Sequence, residues 1–303
     1  MRLREHVPLA PFTTLSIGGE ARWLADVMDE DELREALSFA KTHRLSTHIL
    51  GGGSNTLFSD AGFYGLVVRM ADERIHYDGE LVSCASGVSL RALLEQSAGR
   101  GLGGLEKLAG IPGSIGGAVR GNAGAFGMEI KDSIESIEAL DTAGAVHHFD
   151  HAACRFGYRE SMFKHEPMFV ITRIRLRFQP SRPSAVEHAM ADIIAERERK
   201  HIQHIKSAGS FFINPVVPEQ VWSAFEREGN KSRRGRVPAG WLIERAGMRG
   251  VKIGDAAASE HHANYFINTG DATALDVLAL VRLVKASVLK RDDVRLQEEV
   301  TVV

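Results

Sequence analysis

The sequence has no excess of charge of either sign and no long apolar run. Its 37 lysine and arginine residues are balanced by 39 aspartate and glutamate residues, which leaves a net charge of -2 over 303 residues. So small a net charge gives no overall field that would recruit nucleic acid or an anionic membrane. A membrane-spanning helix needs about 20 consecutive apolar residues, and no run approaches that length. We therefore expect a soluble protein without nucleic-acid or membrane partners.

Cysteine is also scarce. Cys84 and Cys154 are the two cysteines, they lie far apart in the sequence, and no CxxC motif is present. This usage does not suggest a disulfide scaffold. The first residues, MRLREHVPLA, do not have the pattern of a secretion signal. We expect reduced thiols and a cytoplasmic location.

The histidines do not form a metal-binding set. His201 and His204 are three residues apart, and His261 and His262 are adjacent, but no cysteine or carboxylate cluster completes a ligand set. We predict structural or surface histidines and no metal. The basic run KSRRGR, residues 231–236, has no interleaved aromatic residues for base stacking and is predicted to be a solvated loop.

The first half of the chain has the pattern of an α/β unit. Leu33, Leu37 and Ala40 would share one face of a helix that begins with acidic residues. A second helix follows Ser89, a candidate N-cap, and ends at glycines. Strands are predicted over ARWLADV, GLVVRM and ELVSCASGV. With 303 residues, the chain is long enough for two or three compact units.

The second half begins with an alternating strand, predicted over residues 168–178. One face would carry Val170, Thr172, Ile174, Leu176 and Phe178, and the other Arg173, Arg175 and Arg177. After a break rich in proline and serine, an apolar helical stripe is formed by Val186, Met190, Ile193 and Ile194. We place a domain boundary near residue 200. A long amphipathic helix near the C-terminus is predicted to be capped by Asp271.

Two glycine-rich segments are candidate phosphate loops. They are LGGGSN, residues 50–55, and GIPGSIGGAVRGNAG, residues 110–124. Glycines let backbone N–H groups surround a phosphate, and further donors come from Ser54, Asn55, Ser114 and Asn122. Neither segment matches GxGxxG after a strand or the loop that ends in GK[ST], so each alone is equally typical of a structural turn. Together they predict a diphosphate site.

Motifs along nearly the whole chain resemble those of the MurB family, the UDP-N-acetylenolpyruvoylglucosamine reductases. The matching segments are TTLSIGGEA at 13–21, LGGGSNTLFSD at 50–60, GLEKLAGIPGSIGGAVRGNAGAFGMEI at 104–130, FGYRESMFK at 156–164, SAGSFFINP at 207–215, GWLIERAGMRGVKIGDAAAS at 240–259, HANYFIN at 262–268 and LQEEV at 296–300. Their order and spacing are those of the family.

The resemblance implies an α+β protein with non-covalently bound FAD. The implied fold is an FAD-binding fold of the vanillyl-alcohol oxidase type, with two α/β subdomains, followed by a C-terminal α+β substrate-binding domain. We expect the first subdomain at 1–71 with 292–303, the second at 72–200, and the substrate domain at 201–291. The implied FAD-binding residues are Gly51, Gly52, Gly53, Ser54, Asn55, Gly110, Ile111, Pro112, Gly113, Ser114, Gly117, Asn122, Ala123 and Gly124.

The resemblance also implies a reaction. NADPH would reduce FAD, and the flavin would then reduce UDP-N-acetylenolpyruvoylglucosamine to UDP-N-acetylmuramate, a peptidoglycan precursor. Hydride addition at the carbon β to the carboxylate leaves negative charge on the α carbon and the carboxylate, so the site needs cations or acidic donors and one proton. Both partners are small molecules, and we expect a monomer.

Five residues match family positions that serve this chemistry. Arg159 would hold the substrate carboxylate, Ser210 would donate the proton, and Glu299 would lie in the same pocket. Tyr158 and Asn214 would contact the substrate. Taken alone, Arg159 is more typical of a surface salt bridge and Glu299 of a solvated strand end. Tyr158 could equally be a packed phenol, and Ser210 could bond backbone.

Three positions depart from the family pattern. Ile213 stands in place of a lysine, Thr301 in place of an arginine, and Asp255 in place of a glycine. The segment between Lys164 and Ser207 is short, so the chain resembles the family branch that lacks an insertion with a substrate-capping tyrosine. Because two cations are lost, two alternatives stay open: a flavin reductase with a changed substrate, and a flavin-binding module without turnover.

Overall fold

The computed structural model describes residues 1–200 and 204–303. The chain divides into two compact units. The first unit comprises Met1–Val7, Ala21–Gly53 and Phe63–Glu198, and the second comprises Pro8–Glu20, Ser54–Gly62 and Arg199–Val303. The division into two subdomains and a substrate domain stays a prediction. His201 lies outside the described residues.

The described residues form eight α-helices and nineteen strands. The helices are α1 (Glu30–Thr42), α2 (Leu90–Ala98), α3 (Ile115–Arg120), α4 (Met162–His165), α5 (Pro183–Arg199), α6 (Glu219–Arg227), α7 (Ala239–Arg245) and α8 (Ala274–Asp292). The strands are β1 (Arg2–Pro8), β2 (Glu20–Val27), β3 (Thr47–Leu50), β4 (Thr56–Leu57), β5 (Phe63–Met70), β6 (Ile75–Asp78), β7 (Leu81–Ala85), β8 (Leu102–Gly103), β9 (Gly124–Ala125), β10 (Met128–Glu129), β11 (Ile134–Leu140), β12 (Val146–Asp150), β13 (Val170–Arg177), β14 (Gln179–Pro180), β15 (Ser207–Ser210), β16 (Lys252–Ile253), β17 (Ala256–Ala258), β18 (Tyr265–Asn268) and β19 (Thr301–Val302).

One sheet of the first unit has the strand order β1-β2-β5-β3, with β5 parallel to both β2 and β3. The predicted helix α1 is confirmed, and its N-cap is Asp29, whose side chain accepts a hydrogen bond from the Glu32 N–H at 2.9 Å. Its buried face contributes Leu33 and Ala40 to the core shared with this sheet. The parallel strand β3 ends at Leu50, directly before the first glycine segment.

The second sheet of the first unit has five antiparallel strands in the order β12-β11-β13-β7-β6. The alternation predicted for β13 is confirmed: Thr172 is buried with its apolar neighbours on one face, whereas Arg175 and Arg177 are exposed. The predicted cap Ser89 is also confirmed, since its hydroxyl accepts from the Ala92 N–H at 3.3 Å. Helices α2 and α3 contribute to the apolar core that covers this sheet.

The second unit contains the antiparallel sheet β15-β18-β17-β16 and the short parallel pair β4 and β19. Its core includes three fully buried phenylalanines, Phe211, Phe212 and Phe266, whose ring centroids are 4.9–5.7 Å apart. These rings pack the end of the SAGSFF motif against strand β18.

The cap predicted for the long C-terminal helix α8 is wrong. Thr273, not Asp271, is the N-cap: its hydroxyl accepts from the Asp276 N–H at 3.1 Å, and the Asp276 carboxylate accepts from the Thr273 N–H at 3.0 Å. This reciprocal pair satisfies two backbone donors that a single aspartate could not satisfy. Asp271 lies before the helix, where its own N–H donates to Asp255.

Both cysteines are free and buried. Burial raises the pKa of the Cys84 thiol to about 12, and burial together with Asp150 does the same for Cys154. Within the described ranges, no helix combines the length and apolar character needed to cross a membrane. The same part of the chain contains no cluster of three or more metal-ligating side chains.

Candidate active site

The two glycine segments pack against each other inside the first unit. A Cβ atom on Gly52 would lie 2.6 Å from the Gly113 Cα, and one on Gly51 would overlap the Ser114 hydroxyl. Such distances leave no room for a side chain at either position, so the glycines are required by close backbone approach. The first segment passes from the first unit into the second between Gly53 and Ser54.

A third segment, residues 86–90, runs beside the second glycine loop. The Ile115 N–H donates to the Val88 carbonyl at 2.8 Å, and the Gly116 N–H donates to the Ser86 carbonyl at 2.9 Å. The Ser86 hydroxyl is 3% exposed and has no hydrogen-bond partner within residues 1–200 and 204–303. Sequence reasoning missed Ser86, because a serine after a strand carries no local signal of function.

The polar side chains predicted to face a phosphate have protein partners. Ser114 caps α3 by accepting from the Gly117 N–H at 3.3 Å. Asn122 is fully buried and donates to the Gly157 carbonyl at 2.7 Å. In the second unit, the Asn55 amide donates to the Glu299 carbonyl at 3.0 Å. Among the remaining predicted loop positions, Gly53, Gly110 and Gly113 have positive φ. Ile111 and Ala123 are partly buried, whereas Pro112 is exposed. The other predicted positions are Ser54, Gly117 and Gly124.

The FGYRES motif forms a tight turn on the second glycine loop. Gly157 and Glu160 exchange two backbone hydrogen bonds, of 3.0 and 3.2 Å. Arg159, inside this turn, has a left-handed backbone with φ of 58°, which is unfavourable for a residue with a side chain. Its guanidinium donates to the Gly124 carbonyl at 2.6 Å and to the Asn122 carbonyl at 3.4 Å, and lies 5.3 Å from the Tyr158 ring centre.

In the second unit, Ser210 ends a strand that contains an irregularity. β15 pairs with β18 through Ser207 and Ser210, but the register shifts between these two residues, and Gly209 between them has φ of 77°. Bulges of this kind change the direction of the following side chains and occur frequently next to active sites. Ser210 is half-buried there.

A buried asparagine fixes the chain that follows Ser210. Asn264 is 1% exposed, its amide donates to the Phe212 carbonyl at 2.8 Å, and its side-chain oxygen accepts from the Phe212 N–H at 3.0 Å. The Asn264 carbonyl also accepts from the Phe211 N–H at 2.7 Å. These three bonds hold both phenylalanines in register. Sequence reasoning missed this role.

The LQEEV segment lies beside the SAGSFF strand. The Glu299 N–H donates to the Phe211 carbonyl at 2.8 Å, and Phe212 forms a bridge with Glu298. The backbone therefore brings Glu299 next to the residue that follows Ser210. The neighbouring Glu298 instead pairs with Lys285 at 2.7 Å.

Asn214 also serves the local structure. Its side-chain oxygen accepts from the Ala239 N–H at the start of α7, at 2.9 Å, and its carbonyl accepts from the Arg236 guanidinium. Arg236 is half-buried, unlike the exposed Arg233 and Arg234 of the same basic run. The predicted solvated loop therefore includes one arginine that binds the FFINP segment.

The unusual aspartate at position 255 is accommodated by the turn between β16 and β17. The left-handed residue of this turn is Gly254, with φ of 54°. Asp255 accepts from the Asp271 N–H at 2.9 Å through its carboxylate and from the Thr269 N–H through its carbonyl. The carboxylate thus joins this turn to the segment that precedes α8.

His48, in the strand that leads to the first glycine segment, is kept neutral. Burial lowers its pKa from 6.5 to about 4, and the positive charge of Arg120 adds to the shift. The unfolded chain binds a proton near pH 6.5, whereas the folded chain does so only near pH 4, so the free energy of unfolding falls as the pH decreases between these values.

We expect His48→Gln to remove this part of the pH dependence. Urea unfolding from pH 7.5 to 4 measures the effect, with His188→Gln as the matched control because His188 is exposed on α5. If the free energy of unfolding of His48→Gln depended on pH as steeply as that of the control, the assignment would be contradicted.

Comparison with known proteins gives the class and then the family. The family model described as "FAD binding domain" matches residues 23–150, and the one described as "UDP-N-acetylenolpyruvoylglucosamine reductase, C-terminal domain" matches residues 200–303. The chain is therefore a flavoprotein in which an FAD-binding domain precedes a C-terminal domain. It belongs to the UDP-N-acetylenolpyruvoylglucosamine reductase family.

Full-length relatives support this assignment. The reductase of Solibacter usitatus is 38% identical over 97% of this chain and 94% of its own length, and that of Pseudomonas aeruginosa is 36% identical over 99% and 98%. The crystal structure of the reductase MurB from Thermus caldophilus aligns with a TM-score of 0.79 at 33% identity, over 100% of this chain and 99% of that one. The predicted family, fold class, FAD cofactor and enzyme class, an FAD-dependent oxidoreductase, are confirmed.

The residues of the first unit fit FAD. The close approach of Gly51 and Gly52 to the second loop leaves backbone, not side chains, at the surface that the loops share. The buried Ser86 hydroxyl lies in the segment bonded to that loop, and a buried hydroxyl without a partner is unfavourable until a polar group satisfies it. Both features are those of a site for a polar cofactor.

Proposed function

We propose that the protein reduces UDP-N-acetylenolpyruvoylglucosamine to UDP-N-acetylmuramate in peptidoglycan precursor synthesis, with NADPH as the hydride donor. The observation that carries this proposal is the anchoring of Arg159 on the second glycine loop by the carbonyls of Asn122 and Gly124. An arginine anchored on the predicted flavin-binding loop supports this function, because its planar guanidinium suits the carboxylate of an enolpyruvyl group.

Bound FAD would supply the hydride, which would add to the methylene carbon of the enolpyruvyl double bond. Arg159 would hold the carboxylate through its planar guanidinium and stabilise the negative charge that develops on the carboxylate and the α carbon. Ser210 would transfer its proton to the α carbon, which completes the saturated lactyl ether. Water would then return a proton to the serine oxygen.

Glu299 would support the proton transfer from Ser210. An unassisted serine is a weak acid, so the transfer needs the developing charge of the substrate and a nearby polar partner. The Glu299 N–H donates to the Phe211 carbonyl, so the backbone of Glu299 lies beside the residue that follows Ser210, which supports this role. A glutamate in its protonated form could also donate a hydrogen bond to the substrate.

Two alternatives follow from particular features of the chain. Ile213 and Thr301 lack the positive charge that a nucleotide diphosphate would attract, which favours a related flavin reductase with a changed substrate. A flavin-binding module without turnover is the second alternative, and the presence of Ser210 opposes it because binding alone needs no proton donor. NADPH as the hydride donor, the monomeric state and a cytoplasmic location belong to the same proposal.

The proposal is tested by following the two half-reactions separately. The purified holoprotein is reduced with NADPH under nitrogen, UDP-N-acetylenolpyruvoylglucosamine is added, and the absorbance of oxidised flavin is recorded. We expect rapid return of the oxidised spectrum. Reduction without reoxidation would favour the changed substrate, and a protein without flavin would contradict the assignment of both glycine loops.

A further inference from the structure

Asn122 is the centre of a buried hydrogen-bond network in the first unit. The side chain is fully buried, and its amide nitrogen donates to the Gly157 carbonyl at 2.7 Å and to the Glu129 carboxylate at 3.1 Å. Its side-chain oxygen accepts from the Lys131 N–H at 3.3 Å. Lys131 in turn pairs with Glu129 through its ammonium group. Both amide hydrogens of Asn122 are thus given to protein acceptors.

These bonds fix the turn that carries Arg159. Gly157 begins the turn, and its carbonyl is the acceptor for Asn122, while the Arg159 guanidinium returns to the carbonyls of Asn122 and Gly124. The Lys164 ammonium donates to the Arg159 carbonyl at 2.5 Å, and the Ser161 hydroxyl donates to the Arg120 carbonyl at 2.7 Å. These bonds join the turn and the residue after it to the second glycine loop, and Lys164 joins the turn to α4.

The backbone of Arg159 explains why the turn needs such fixing. A residue with a side chain is held at φ of 58° only when its surroundings determine that conformation. The bond from Asn122 to Gly157 joins a side chain of the loop to the start of the turn at 2.7 Å. Without it, Arg159 would relax towards a more favourable backbone conformation and its guanidinium would move.

We propose that Asn122 is a positioning residue for Arg159, which orients the guanidinium for a ligand carboxylate. This inference rests on the proposed function of Arg159 as the carboxylate-binding residue. The amide hydrogens of Asn122 are already engaged by Gly157 and Glu129. The Asn122 side chain therefore acts on substrate binding, through Arg159.

The test compares two ligands that differ in the lactyl ether and therefore in one carboxylate. UDP-N-acetylmuramate carries the carboxylate on its lactyl ether, and UDP-N-acetylglucosamine lacks that group. Their dissociation constants for the oxidised holoprotein are measured from the perturbation of flavin absorbance. In Asn122→Ala we expect the constant for the carboxylate ligand to rise roughly 10-fold, with that for the other ligand changed by less than about 2-fold. The FAD dissociation constant, from recovery of flavin fluorescence, should stay within about 3-fold.

Asn268→Ala is the matched control. Asn268 is also buried and bonds backbone groups through its amide, at Leu15, Gly270 and Ala272, all within the second unit. We expect its ratio of the two dissociation constants to equal that of the unsubstituted protein. If Asn122→Ala does not fold, Asn122→Asp serves instead, since it keeps the acceptor for Lys131 but loses both donor hydrogens.

The outcomes separate this inference from the proposed function. An unchanged ratio of the two constants in the Asn122 variant would overturn the positioning role, and so would a loss of FAD affinity without any change in that ratio. If the unsubstituted holoprotein itself shows no preference for the carboxylate ligand, the proposed function fails first, and the inference fails with it.

Discussion

Replacing Ser210 with alanine is expected to slow reoxidation of the reduced flavin by substrate by roughly 10²–10⁴-fold, the usual contribution of a positioned general acid. The α carbon would then have to take its proton from water. Reduction of the flavin by NADPH needs no proton from Ser210, so its rate should stay within about 2-fold. Stopped-flow absorbance under nitrogen measures both half-reactions on the same sample.

The bulge in β15 makes this comparison informative. The conformation at Ser210 is fixed by the pairing with β18, by Gly209 and by the Asn264 bonds to Phe212, none of which involves the serine hydroxyl. Ser259→Ala is the matched control, because Ser259 is buried in the same unit and its hydroxyl accepts from the backbone N–H groups of His261 and His262. Equal reoxidation rates in Ser210→Ala and the control would refute the role of Ser210 as the proton donor.

Local sequence signals predicted most of the secondary structure correctly. The helix with Asp29 as its N-cap, the cap at Ser89 and the alternation of β13 depend on residues within a few positions of one another, so the pattern alone determines them. The error at Asp271 has the same origin. Asp271 and Thr273 are both good caps, and only the reciprocal bond with Asp276 decides between them.

The candidate site depends on contacts that sequence patterns do not contain. Asn122 was predicted as a phosphate donor from the glycines around it, whereas its partner Gly157 lies 35 positions further along the chain. Asn264 and Phe212 are 52 positions apart. A one-dimensional pattern shows that an asparagine is near glycines, but not which carbonyl its amide reaches, so the hydrogen-bond networks appear only in the fold.

The local structure explains only in part why positions 213 and 301 carry uncharged side chains. Ile213 extends the strand-like segment after Phe212, where its N–H donates to the Gln297 carbonyl at 3.0 Å, and Thr301 lies in β19 paired with Thr56. Both positions therefore keep their backbone roles with uncharged side chains. Arg236 brings a guanidinium to the carbonyl of Asn214 in the same FFINP segment, so this part of the second unit retains a positive charge.

The second large effect is expected at Arg159. Arg159→Met should lower the rate of flavin reoxidation by substrate roughly 10²–10³-fold, since the charge that stabilises the carboxylate and the developing negative charge is removed. Arg159→Lys keeps the charge but not the planar fork, and one ammonium group cannot bond the carbonyls of Asn122 and Gly124 as the guanidinium does. We expect it to recover less than about a tenth of the lost rate.

Arg155→Met is the control for Arg159, because Arg155 is exposed four positions earlier and pairs with Glu166 at the surface. Its reoxidation rate should match that of the unsubstituted protein, as surface ion pairs contribute little. If Arg159→Lys restored full activity, a point charge would suffice and the fork geometry would have no function. If Arg159→Met stayed fully active, the substrate carboxylate would have to bind a different cation, and the anchoring of Arg159 on the glycine loop would serve the stability of the turn alone.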